Sequence, residues 1–163
     1  MEGAIRLAML SFVGAALATM TTGAQAGVSI TVTGSWFEVV DETNLPGGAG
    51  GELTQTCESA PDQVQLDIQT DAGETWHIDV SREETGWQGD LTLSVRATSE
   101  GTGPGSISGV GPYRDVSVTY QQFLTGNDDR SGIPVQLKID GVSSGTGSGT
   151  YATTVYYTIT EGS

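Results

Sequence analysis

His77 and Asp79 stand two positions apart in a stretch that alternates apolar and polar residues, so both project from one face of a strand. An imidazole beside a carboxylate is the pair that tunes proton transfer or begins a metal site. The remaining parts are missing. His77 is the only histidine and Cys57 the only cysteine, whereas metal sites need several convergent ligands and nucleophilic catalysis needs a nucleophile with an oriented base. No phosphate loop, His-Glu-x-x-His or paired-Cys motif occurs. Nothing singles out a carboxylate pair for glycoside hydrolysis. A solvated strand face accounts for His77 and Asp79 equally well, and no catalytic residue or enzyme activity is assigned.

Two other groups carry ligand chemistry. Asn127, Asp128 and Asp129 cluster in one predicted turn and offer hard oxygen donors to calcium, without the spacing of an EF-hand loop. An ordinary turn uses the same residues, because Asn and Asp accept local backbone bonds and tolerate left-handed φ. Trp87 lies in a predicted loop and is the one tryptophan that alternation does not assign to the core, which makes it the candidate platform for a stacked sugar.

Charge narrows the partners. The 20 acidic residues against 6 basic ones give a net charge of -14. A surface of that sign repels nucleic acid phosphates and anionic lipid, so neither is an expected partner.

The elements that must position these groups are strands. Leu7 to Met20 form an apolar run preceded by Arg6 and followed by the small-x-small pair Ala24 and Ala26, which reads as a signal peptide over 1–26 with cleavage before Gly27. The run is too short for a membrane span, and no later run replaces it, so an exported protein without membrane insertion is expected, in periplasmic transit to the medium or cell surface. Residues 27–163 then form one domain. A lone Cys57 gives an exported chain no internal disulfide, leaving sheet packing for stability or a pairing with another molecule.

Period-two alternation places Val28, Ile30 and Val32 on one face, breaks at Gly34, and leads to Trp36, Phe37, Val39 and Val40. Asp41 to Cys57 reads as a Gly-rich loop. Val64, Leu66 and Ile68 turn through 71–74 into Trp76, Ile78 and Val80, a pattern that predicts a hairpin. Leu91, Leu93 and Val95 follow, then a Gly-rich linker over 101–112 in which Ile107 touches the core. Val116, Val118 and Tyr120 resume the alternation, 126–132 turns the chain, and Val135, Leu137 and Ile139 make the next strand. After a Gly, Ser and Thr loop over 141–149, Tyr151, Thr153, Val155, Tyr157 and Ile159 share one face. Seven to eight strands with one apolar face each predict an all-β fold, an Ig-like antiparallel β-sandwich, with a jelly roll as the other arrangement of the same strands.

The ends of the domain carry the functional expectation. A strand over 27–33 either closes its own sandwich or leaves to complete a neighbour's, inserting Val28, Ile30 and Val32 into the neighbour's core; the second option builds a filament, because the contact is head-to-tail. The closing segment Gly149-Thr-Tyr-Ala-Thr-Thr-Val-Tyr-Tyr-Thr-Ile159 resembles the terminal strand of chaperone-usher pilins and spore coat U-like proteins. That resemblance implies a small exported sandwich polymerised by strand donation, although the Cys pair frequent in those families is reduced here to Cys57. Asp-Arg-Ser-Gly-Ile-Pro-Val-Gln-Leu, at 129–137, resembles secreted bacterial proteins without an assigned activity. The expected function is a structural subunit of an extracellular fibre or surface layer, self-associating; the alternative is a module that binds glycan or adheres.

Overall fold

Val64, Leu66 and Ile68 are each at most 5% exposed while Gln65 and Gln69 face solvent, the pattern a half-buried strand imposes because successive side chains point to opposite faces. The computed structural model describes residues 9–11, 27–39, 55–87, 89–142 and 151–162. They form β1 (Met9–Ser11), β2 (Ser29–Gly34), β3 (Phe37–Val39), β4 (Gln55–Glu58), β5 (Val64–Gln69), β6 (Thr75–Arg82), β7 (Thr92–Ala97), β8 (Ile107–Ser108), β9 (Arg114–Asp115), β10 (Gln121–Asn127), β11 (Arg130–Val142) and β12 (Val155–Glu161), with no helix among them.

Two antiparallel sheets build the domain, as expected for an all-β sandwich. One runs β2, β5, β11, β7, β9, with β4 also on β11, and the other β12, β6, β10, β8. Trp76, Ile78, Val80, Phe123 and Tyr157 from the second sheet join Leu66, Ile68, Val95, Val135 and Ile139 from the first in one buried cluster. A separate ribbon pairs β1 with β3. The rest of the expected leader, the Gly-rich run up to 54 and the loop at 143–150 lie outside the described residues.

The winding is nested. β5 pairs with β11, β6 with β10 and β7 with β9, so a long antiparallel ribbon doubles back on itself and alternates between the two sheets. Among the described strands, no two that are consecutive in the chain pair with each other. Such a folded-over ribbon is how a jelly roll is wound.

Several sequence expectations are corrected by this winding. The segments 64–69 and 75–82 do not form a hairpin: β5 pairs with β2 and β11, β6 with β10 and β12. Alternation names the face of a strand that is buried and says nothing about its neighbour. Cys57 belongs to β4, where it pairs with Ile139, and not to a loop. No strand covers 116–120; Val116 is buried, but Val118 and Tyr120 are 46% and 66% exposed. The strand begins at Gln121, and a bulge between Gln122 and Leu124 lets Phe123 and Leu124 both enter the core, which breaks the period-two signal. The expected turn at 126–132 shrinks to Asp128 and Asp129, with Gly126 and Gly132 inside strands. Ile107 does reach the core.

Gly34 ends β2 at φ +125°, and a Cβ there would collide with the backbone carbonyl of Gln63. The break in alternation at this position therefore reflects a backbone that only glycine follows without strain.

Candidate functional site

The outward face of the four-stranded sheet carries the histidine. Register across the strands sets Thr160 beside His77, His77 beside Thr125 and Thr125 beside Ser108, while Thr158 and Gln122 flank Asp79. Thr160 Oγ1 lies 2.6 Å from His77 Nε2. Asp79 Oδ2 lies 3.9 Å from the same nitrogen, too long for a hydrogen bond. Among the described residues, no three His, Cys, Asp or Glu side chains converge as a metal set would. What this arrangement offers is a ladder of hydrogen-bonding groups. Its members His77, Asp79, Gln122, Thr125 and Ser108 line an open cleft of about 750 Å³, as do Trp76, Gly73, Ser106, Asn127 and Gly162.

Tyr156 pairs with Ser81, and Tyr120, one residue before β10, lies close to Tyr156. Burial, the Glu83 carboxylate and a hydrogen bond to it raise the Tyr156 phenol above its ordinary value. Alternation sets Tyr120 in register with Val116 and Val118, but the ring is 66% exposed.

Asn127, Asp128 and Asp129 do come together, at the tight link between β10 and β11, and their oxygens are engaged with neighbouring donors. Asp128 Oδ1 accepts the Gly73 amide at 2.5 Å and Asp129 Oδ1 the Thr70 amide at 2.7 Å, tying this link to the turn between β5 and β6. Asn127 Oδ1 accepts the Ser106 amide and hydroxyl, each at 2.9 Å, and its Nδ2 donates to Asp128 Oδ2 at 2.7 Å. Asp128 itself sits at φ +59°, a conformation Asp tolerates better than most residues. These three side chains tie the β10–β11 link to the turn between β5 and β6 and to Ser106.

Trp87 is half-buried against the core, its Nε1 donates to the Leu91 carbonyl at 2.8 Å, and the Arg82 guanidinium lies 5.3 Å from its ring centroid. The indole thus packs against the core beside the Arg82 cation. Ile30 is buried, Val28 and Val32 are partly so, and all three belong to the apolar cluster of their own chain.

Two long sheet edges are open among the described strands. β2 pairs only with β5 and β12 only with β6, and the two approach each other at one side of the sandwich. The opposite edges end in the two-residue strands β8 and β9. Natural edges are commonly guarded by short length, Lys, Pro or a bulge. β2 reads Ser-Ile-Thr-Val-Thr-Gly without a charge, and β12 carries none before Glu161.

On the outer face of the larger sheet, the Tyr113 ring stands under Arg96 and Lys138, with 4.5 Å and 4.7 Å to its centroid. Lys138 holds Asp140 at 2.6 Å and keeps its carboxyl below the usual range. Cys57 is a buried free thiol, pushed up to about 11 by burial first and then by the carboxylates of Glu38 and Asp140. The unfolded thiol ionises near 9.0, so its contribution to stability is complete below pH 9 and is lost as pH rises toward 11. Urea unfolding at pH 8 and pH 10.5 is expected to show lower stability at the higher pH. Cys57→Ala should reduce that difference; an unchanged difference would assign it to other groups.

No family model matches the chain, and no curated protein or solved structure does.

Proposed function

We propose that this chain is an exported structural subunit that self-associates by exchanging β2 between neighbours, with residues 1–26 removed as a signal peptide and the mature domain a two-layer sandwich wound, like a jelly roll, as a doubled ribbon. The observation that carries this reading is the position of β2: an uncharged, β-branched edge strand held only by β5 in its sheet. Lifting such a strand breaks one ladder and unpairs no other strand. It uncovers a groove beside β5, which a copy of the same sequence fills with the same side chains and hydrogen bonds. Exchange of this kind is head-to-tail and extends without closing, so its product is a fibre or surface layer.

The test uses register. Thr33 and Gln65 are paired across β2 and β5, and both are exposed. Thr33→Cys with Gln65→Cys, in a Cys57→Ser background, is expected to give a covalent ladder of multimers on a non-reducing gel, with filaments in negative stain. A gel containing only monomer, from protein that elutes as a monomer at all concentrations, refutes strand exchange.

A further inference from the structure

The outer face of the four-stranded sheet is a preformed surface whose chemistry selects one class of ligand. Its first row crosses all four strands as Thr160, His77, Thr125 and Ser108, its second is Thr158, Asp79 and Gln122, and beyond them Tyr156 pairs with Ser81, with Tyr120 near it just before β10. The geometry points to this face as the binding site of a neutral oligosaccharide laid across the strands.

Four lines of argument converge. The groups in the first two rows are hydroxyls, an amide, an imidazole and a carboxylate, which together donate and accept, as a row of sugar hydroxyls requires. The cleft lined by His77, Asp79, Gln122, Thr125 and Ser108 holds about 750 Å³, ample for several sugar rings, and apart from Trp76 its described lining carries no large apolar side chain for a lipid tail or apolar peptide to bury. Asp79 within the site and a net charge of -14 around it oppose an anionic chain. Tyr120, 66% exposed, and Tyr156 offer flat apolar faces with polar tips, the side-chain form that covers the C–H face of a sugar while leaving its hydroxyls wet.

Dimensions agree. Strands lie about 4.8 Å apart, so the four-strand row spans roughly 14 Å across the sheet, and the Tyr156 row runs parallel to it about 14 Å further along β6. Because the groups stand on a paired sheet, little conformational freedom is lost when a ligand seats. This inference does not rest on strand exchange, since β2 belongs to the other sheet.

Calorimetric titration of the purified protein with cellohexaose, mannohexaose, xylohexaose and laminarihexaose, and with polygalacturonate as the anionic control, tests it. At least one neutral hexasaccharide is expected to bind, and polygalacturonate not to. Tyr120→Ala and Gln122→Ala, both at exposed positions, should each weaken binding at least tenfold with the melting temperature unchanged, whereas Thr33→Cys with Gln65→Cys should leave affinity as it is. Absence of heat with every neutral sugar, preference for polygalacturonate, or undiminished binding by the Tyr120→Ala and Gln122→Ala variants overturns the assignment.

Discussion

Trp76→Ala is expected to destabilise the domain by about 3–5 kcal/mol, the cost typical of deleting a buried indole. Trp76 is 1% exposed and donates its Nε1 hydrogen to the Asp128 carbonyl at 2.9 Å. Its ring occupies the space a side chain at Gly126 would take: a Cβ there would lie 2.5 Å from the indole Cζ2. Removing the indole therefore opens a void over a glycine, where no neighbouring side chain stands ready to fill it, and leaves the Asp128 carbonyl without this donor. Trp76→Phe keeps most of the packing and loses the hydrogen bond, so a smaller loss of about 1–2 kcal/mol is expected. Urea unfolding of the three proteins checks the ranking. If Trp76→Ala unfolds within 1 kcal/mol of wild type, the indole is not the anchor its burial indicates.

Ile30→Asp is the second large effect. Ile30 is 6% exposed, pairs with Ile68 and belongs to the central cluster. Losing its burial costs about 1.5–3 kcal/mol, and an unpaired carboxylate in its place costs several more, a large part of the ~5–15 kcal/mol that stabilises a domain of this size. The variant is expected to melt well below wild type and to form no multimers. A wild-type peptide spanning residues 27–34 should then raise its melting temperature, because the groove left by the damaged strand accepts an intact copy. A peptide without effect on melting, in a variant that still folds, would count against an accessible groove and so against strand exchange.

Much of the layering was legible in the sequence. Val64, Leu66 and Ile68, Trp76, Ile78 and Val80, and Val135, Leu137 and Ile139 all face the core as their alternation requires. Partnership was not legible, since period two fixes a face and leaves the choice of neighbour to long-range packing; hence the hairpin expected across 71–74 is instead a crossing between sheets. The bulge at Gln122 to Leu124 defeated the pattern from the other direction, moving the strand past Tyr120 and exposing a residue that alternation had set in register with Val116 and Val118. The candidate site was half visible: His77 and Asp79 were seen together, but Gln122, Thr125, Ser108 and Thr160 join them only through strand pairing. Asp128 and Asp129 were correctly read as a cluster. Their role in holding the Gly73 and Thr70 amides depends on a crossing that no local pattern records.

The nested pairing also sets an order of folding. The entropy of closing a loop grows with its length, so the pairings nearest the tip of the ribbon, β8 with β10 and β7 with β9, close at the least cost, and each outer pair closes more cheaply once the inner one exists. Zipping then runs outward through β6 with β10 to β5 with β11. β12, reaching back to β6 across most of the domain, docks on a frame that is already built, whereas β2 meets β5 across the shorter span from Gly34 to Val64. With no hairpin between consecutive described strands to nucleate elsewhere, folding is slow for the chain's length. During that interval the last groove to be filled stands open to a strand from any neighbour at the same stage.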